Sequence, residues 1–166
     1  VASGLIGGKS SDGISWITTS MPASYNWSCI AYGSSKFVAF ANASNTCATS
    51  TDGVNWTTRT CPTFTTWGKI IWSGTQFVAT TYSMATNGIW TSPDGITWTN
   101  RTCIGANWIS IAYSGSLYAA VQNNAASQVI TSPDGVTWTT RTCASATYKD
   151  IAYGNGIFCA VATGSN

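Results

Sequence analysis

One segment is written four times in this chain. TSPDGVTWTTRTC at 131–143 differs from TSPDGITWTNRTC at 91–103 at two positions, and further copies stand at 49–61 (TSTDGVNWTTRTC) and, more diverged, at 9–21 (KSSDGISWITTSM). The tryptophans that anchor the copies, Trp16, Trp56, Trp98 and Trp138, are spaced 40, 42 and 40 residues apart. A fixed period of this size marks a repeat architecture, in which each unit is a small supersecondary element that buries its apolar face only by stacking on the next.

The unit reads as four strands. An apolar run, CIAYG (29–33), KIIWSG (69–74), SIAYSG (110–115) or DIAYGNG (150–156), is followed across a Gly- or Ser-containing turn by a second one, FVAF (37–40), FVAT (77–80), YAAV (118–121) or FCAV (158–161). Both are too short for helices, rich in β-branched and aromatic residues, and bounded by turn formers, which is the pattern of a buried hairpin. A third strand leads into Ser-x-Asp-Gly, and a fourth, half polar, follows the tryptophan. Four antiparallel strands per 40 residues form one propeller blade, because blades stack face to face and leave only the outermost strand wet. The expected fold is all-β, a propeller of four four-stranded antiparallel blades occupying residues 1–166 as a single domain. The chain opens inside one unit and closes inside another, so the half-blade 1–20 is expected to be completed by the half-blade 148–166, within one chain or between chains; internal closure is preferred because a tethered partner is locally concentrated.

The recurrent turn carries its own mechanism. Asp12, Asp52, Asp94 and Asp134 can accept N–H groups of the turn, Gly13, Gly53, Gly95 and Gly135 can take a positive φ, and Trp16, Trp56, Trp98 and Trp138 can fold back over the hairpin end. Ser-x-Asp-Gly-x-x-Trp, as at 92–98 and 132–138, is similar to the Asp-box of sialidase-like propellers, and the wider unit resembles the Asp-box repeats of bacterial surface proteins and phage tail-fibre proteins. The resemblance extends over all four units. It implies a blade and a structural turn, and it says little about activity.

Composition narrows function mostly by exclusion. The chain has no His and no Glu, and four of its five side-chain carboxylates occupy the repeated turn, leaving Asp150 alone. General acid/base pairs, Ser-His-Asp triads and His-built zinc sites therefore cannot be assembled, so no catalytic residue, metal or cofactor is expected. Charged residues make up 7% of the chain against roughly 25% in an average soluble domain, and Thr, Ser, Asn and Gly supply the polarity instead. That palette fits an extracellular, cell-surface or virion-surface location. A net charge of +2 with dispersed cations gives no groove for nucleic acid, and no apolar run is long enough to insert into a membrane.

Four further columns are candidates for sites. Trp27, Trp67, Trp108 and Tyr148 precede the innermost strands; they either wedge between blades or stack on sugars as a glycan-binding ring. Arg59, Arg101 and Arg141 lie on the outer strand by this assignment, where they are expected to cover apolar surface with their stems or to pair with nearby backbone, rather than to bind a glycan carboxylate. Cys61, Cys103 and Cys143 share one repeat position and so fall on different blades, leaving Cys29, Cys47 and Cys159 to supply any bridge. Asn26, Asn42, Asn55 and Asn100 begin Asn-x-Ser/Thr triplets, with Asn42 expected to be the most exposed acceptor for N-linked sugar. The expected role is a non-enzymatic structural or adhesive module, a building block of a fibre or filament, whose partners are further copies of itself or other surface or virion proteins. The alternative is a lectin-like module that binds glycans multivalently.

Overall fold

A computed structural model describes residues 6–83, 87–124 and 128–163; among them are sixteen β-strands and no helix. Strands β1 (Ile6–Lys9) and β2 (Ile17–Ser20) form a hairpin. A four-stranded meander follows: β3 (Asn26–Gly33), β4 (Lys36–Asn42), β5 (Ser44–Ser50) and β6 (Thr57–Thr65). The next repeat gives β7 (Trp67–Trp72), β8 (Phe77–Ser83), β9 (Ile89–Ser92) and β10 (Thr99–Arg101); the one after gives β11 (Ala106–Tyr113), β12 (Tyr118–Gln122), β13 (Gln128–Ser132) and β14 (Thr139–Thr142). A last hairpin joins β15 (Thr147–Gly154) to β16 (Ile157–Thr163). Two pairs, Ala106 with Ser83 and Asn107 with Tyr82, carry hydrogen bonding from β8 to β11 and link the second and third meanders.

The repeat recurs in the register. In each whole blade the first aromatic of the second strand stands opposite the turn serine: Phe37 with Ser50, Phe77 with Ser92, Tyr118 with Ser132. Each innermost strand also slips register just after its aromatic, between Trp27 and Cys29, Trp67 and Ile70, Trp108 and Ser110, and Tyr148 and Asp150. A bulge here bends the strand and increases its twist, as the axis of a propeller requires. At one bulge the geometry admits only glycine: a Cβ on Gly68 would lie 2.5 Å from the Ile109 carbonyl oxygen and 2.8 Å from that of Trp108.

Blades are held by one interface used three times. Val38, Phe40 and Cys47 of the first whole blade pack on Trp67, Ile70, Phe77 and Trp98 of the second. Val78 and Ile89 of the second pack on Trp108, Ile111, Tyr118 and Ile130 of the third, and Ala119, Val121 and Val129 of the third on Tyr148, Ile151 and Phe158. Strand β4 is buried from Val38 to Ala41 because both of its faces are covered. The Phe40 and Trp67 rings stack with centroids 3.8 Å apart, and truncation of such a buried ring typically costs about 3–5 kcal/mol.

Of the expected completion of 1–20 by 148–166, residues 1–5 and 164–166 lie outside the described residues, and the described strands of the two segments do not pair with each other within the chain. The β1–β2 and β15–β16 hairpins are separate two-stranded sheets, and three whole blades lie between them. Large rings, Trp67 and Trp108 above all, are buried between the sheets, and the two end hairpins do not pair with each other.

Candidate functional site

Two residues beyond each innermost aromatic, after the bulge, lies a column that differs in every repeat: Cys29, Lys69, Ser110 and Asp150. The structure brings its last three members together. Lys69 Nζ donates to Asp150 Oδ1 at 2.7 Å, to Ser110 Oγ at 3.2 Å and to the Ile151 carbonyl oxygen at 3.3 Å. Ser110 Oγ donates to Asp150 Oδ1 at 2.5 Å, and the Ile151 N–H donates to the same carboxylate oxygen at 2.9 Å. Burial by itself would raise the Asp150 pKa, but the bonds from Lys69, Ser110 and the Ile151 N–H outweigh it and hold the carboxyl below its ordinary value. The carboxylate is thereby fixed as an anion, Lys69 has a use for all three of its donors, and Ser110 is buried. The cluster ties β7, β11 and β15 together. Its members share one column of the repeat, which is the sole trace of the grouping in the sequence.

The recurrent turns behave as their chemistry predicts. In each, the serine hydroxyl donates to the aspartate, as from Ser92 Oγ to Asp94 Oδ1 at 2.9 Å, and accepts the glycine N–H, as from Gly95 at 2.8 Å. The same aspartate oxygen accepts the next two N–H groups, those of Ile96 and Thr97, each at 2.8 Å. Equivalent bonds reach Asp12 from Ile14 and Ser15, Asp52 from Val54 and Asn55, and Asp134 from Val136 and Thr137. Gly13, Gly53, Gly95 and Gly135 all have φ of 71–74°. Trp16 and Trp138 fold back to donate Nε1–H to the carbonyls of Gly13 and Gly135, both at 3.1 Å. Trp56 and Trp98 pack over the hairpin end through their rings, against Phe37 and Phe77 respectively.

The other columns sort into wedges and struts. Trp67 and Trp108 are buried between blades, so the expectation of a glycan-stacking ring is corrected at those two positions: their faces are already covered by protein. Trp27 and Tyr148 are half-buried, and their polar tips donate to the carbonyls of Ala23 and Ala144. Arg59, Arg101 and Arg141 each donate Nε–H to a threonine hydroxyl across the sheet, Thr49, Thr91 and Thr131, at 3.2, 2.7 and 3.1 Å. All six cysteines are free thiols. Asn42 is not the open acceptor expected, since its Oδ1 receives the Trp67 N–H at 2.8 Å, and Asn100 is held by the carbonyls of Asn87 and Ile89. Asn26 and Asn55 are the exposed triplet asparagines.

Solved structures share this arrangement. Virginiamycin B lyase from Staphylococcus aureus superposes with a TM-score of 0.72 at 16% identity, over 91% of this chain and 54% of that one. YCF48 bound to a D1 peptide gives 0.67 at 16% identity over 90% and 51%, and the computationally designed Ika4 protein gives 0.66 at 9% identity over 84% and 87%. The chain thus spans about half the length of the lyase and of YCF48. No protein-family model matches the sequence, and no curated protein is significantly similar to it. These likenesses define the class of fold, the β-propeller, and at such identities they define the fold alone.

Proposed function

We propose that this chain is a non-enzymatic structural or adhesive β-propeller module of an extracellular, cell or virion surface, and a building block that associates with further copies of itself. One observation carries the reading: every side-chain carboxylate in the chain is committed to holding the fold, four as acceptors inside turns and Asp150 inside the Lys69–Ser110 cluster. In a chain without His or Glu, that leaves no carboxylate or imidazole outside these structural roles for general acid–base work. The similarity of the turn to the Asp-box of surface and tail-fibre repeats agrees with such a role. A second reading, multivalent glycan binding, has one observation in its favour. A groove of about 380 Å³ between the first two whole blades is lined by Lys36, Thr49, Asn55, Thr57 and Arg59, which offer cationic, hydroxyl and amide donors to a sugar acid.

A glycan array run beside negative-stain micrographs separates the readings. Ordered assemblies without sugar-competed binding support the building block; binding that free sugar competes away supports the lectin. Turnover of sialosides or other glycosides that survives purification and disappears in Asp150→Asn would overturn the non-enzymatic reading.

A further inference from the structure

The repeat supplies a comparison for its own cysteines. Cys61, two residues after the outer-strand arginine, recurs as Cys103 and Cys143, and as Met21 in the diverged unit. Cys47, three residues before the turn serine, recurs as Gly7, Ile89 and Val129. Only in the first whole blade are both columns cysteine. The two columns lie side by side wherever they are compared. In the β1–β2 hairpin a Cβ on Gly7 would stand 3.4 Å from Met21 Sδ, and in the second whole blade the Cys103 thiol meets the backbone of Gly88 and Ile89. In the first whole blade Cys47 and Cys61 are 0% and 3% exposed, belong to one apolar cluster, and are joined by a hydrogen bond from the Cys61 thiol to the Cys47 sulfur.

Register accounts for the contact and singles out the pair. Cys47 stands opposite Arg59 and Thr46 opposite Thr60, but the ladder resumes only at Ser44 opposite Thr65. Cys61 therefore opens a bulge on β6, where its backbone can shift without breaking an established pair. Diagonal neighbours in a regular sheet stand roughly 7–8 Å apart, just beyond the reach of a disulfide, and the bulge lets this pair close the gap. Cys29 lies in the same row but is excluded: it pairs with Phe40, and Phe40 pairs with Cys47. Two strand spacings, about 9–10 Å, separate it from Cys47. The Cys61 hydrogen bond, helped by the Arg59 charge, outweighs burial and holds the Cys47 thiol below its ordinary pKa, while the same bond and burial push Cys61 up. Cys47 is accordingly the first of the two to become a thiolate.

We propose that Cys47 and Cys61 are a redox pair that closes to a disulfide on meeting a small disulfide such as oxidised glutathione, stapling the outer hairpin of the first whole blade around its recurrent turn. The Cys47 thiolate attacks one sulfur of the small disulfide; a mixed disulfide forms, and the released thiolate takes up the proton that Cys47 gave to water. Cys61 then loses its proton and attacks the Cys47 sulfur, expelling the second small thiolate, which takes up that proton. Two protein thiols are oxidised and one small disulfide is reduced to two thiols. Both sulfurs are buried, so exchange awaits an opening of β6, the outermost strand of its sheet, which pairs with β5 alone. The loop that the bridge closes holds the whole turn from Ser50 to Trp56. The inference goes beyond the proposed function and does not rest on it.

The test uses the Cys159→Ser chain, which lacks the exposed thiol. It is incubated with excess oxidised glutathione, in buffer and in urea held below the unfolding transition so that β6 opens while the fold persists. Remaining thiols are blocked with N-ethylmaleimide in denaturant, and the peptides are mapped by mass spectrometry. The expected result is one bridge within the chain, Cys47 to Cys61, and a thermal midpoint roughly 5–10 °C above that of the same sample treated with dithiothreitol. Cys61→Ala should lose both the bridge and the shift, and Cys29→Ala should keep both. Free thiols at Cys47 and Cys61 in both incubations overturn the proposal, as does a bridge from either residue to Cys29 or one that forms only in the fully unfolded chain. A Cys47–Cys61 bridge that leaves the midpoint unmoved overturns the staple.

Discussion

Gln76 reaches across a blade interface to donate its side-chain amide to the backbone carbonyl of Asp134, at 2.7 Å. Lys36 does the same one repeat earlier, with Nζ 3.0 Å from the Asp94 carbonyl. The residue that opens the second strand of one blade therefore clasps the recurrent turn of the next, and the turn becomes a joint between blades as well as a hairpin end. Leu117 and Ile157 occupy the same position in the remaining units and cannot donate such a bond. Replacing Gln76 with Leu should therefore cost about 1 kcal/mol, the net worth of one hydrogen bond, measured as a lower urea midpoint with an unchanged slope. An unaltered midpoint would show the clasp to be passive.

Within the turn, the serine holds as much as the aspartate does. Ser92 is buried, and its hydroxyl accepts the buried Gly95 N–H. Ser92→Ala leaves that donor without a partner and should destabilise by about 1–3 kcal/mol, whereas Ser10→Ala, in a turn open to water, should cost less because solvent replaces the lost bond. Equal losses in thermal denaturation of the two variants would contradict this account.

Acid should loosen the fold through the same turns. The N–H groups of Ser15 and Ile14, with the Ser10 hydroxyl, lower the Asp12 pKa from 3.8 to about 2. At Asp94 burial pushes upward, but the N–H groups of Thr97 and Ile96 prevail and the value again falls to about 2. A pKa lower in the folded than in the unfolded state means a stabilisation that is complete above the unfolded value and is lost as the pH falls through the folded one. With no histidine to titrate, stability should be level from about pH 5 to 8 and decline between about pH 4 and 2. Denaturant midpoints across that range test it, and the slope should flatten in an Asp12→Asn, Asp94→Asn double variant.

Gly68→Ala probes the bulge. The added methyl would meet the carbonyl oxygens of Ile109 and Trp108 and Thr80 Oγ1, 2.7 Å away, all closer than carbon tolerates. Backbone from two blades would have to move, at a cost of roughly 1–3 kcal/mol, more if the bulge cannot adjust. Gly74→Ala separates steric from conformational effects. That glycine has open space around a would-be Cβ and a φ of 99°, so its loss reports strain alone.

Local chemistry was legible in the sequence and long-range geometry was not. The Ser-x-Asp-Gly turn is built from contacts within four residues, so its hydrogen bonds, its positive-φ glycine and its covering tryptophan could all be read from spacing. The strand pattern was equally plain because Val38 to Ala41 and its counterparts are buried on both faces. The way neighbouring sheets sit against each other depends on rings such as Phe40, Trp67 and Trp98, which meet although they are distant in sequence. For the same reason nothing local distinguishes Trp67 and Trp108 from surface aromatics. The Lys69–Asp150 pairing spans 81 residues, so no local pattern foretells it.

The column Cys29, Lys69, Ser110 and Asp150 also answers a difficulty that every tandem array creates. Units this alike can pair with the wrong neighbour during folding, since one recurrent turn fits a blade as well as another does. Only the order β7, β11, β15 sets Lys69 beside Asp150 with Ser110 between them, and any transposed neighbour leaves a charge without its counter-ion. Where the rest of each unit is interchangeable, this one position works as an address, telling otherwise equivalent strands which place in the sequence of blades is theirs.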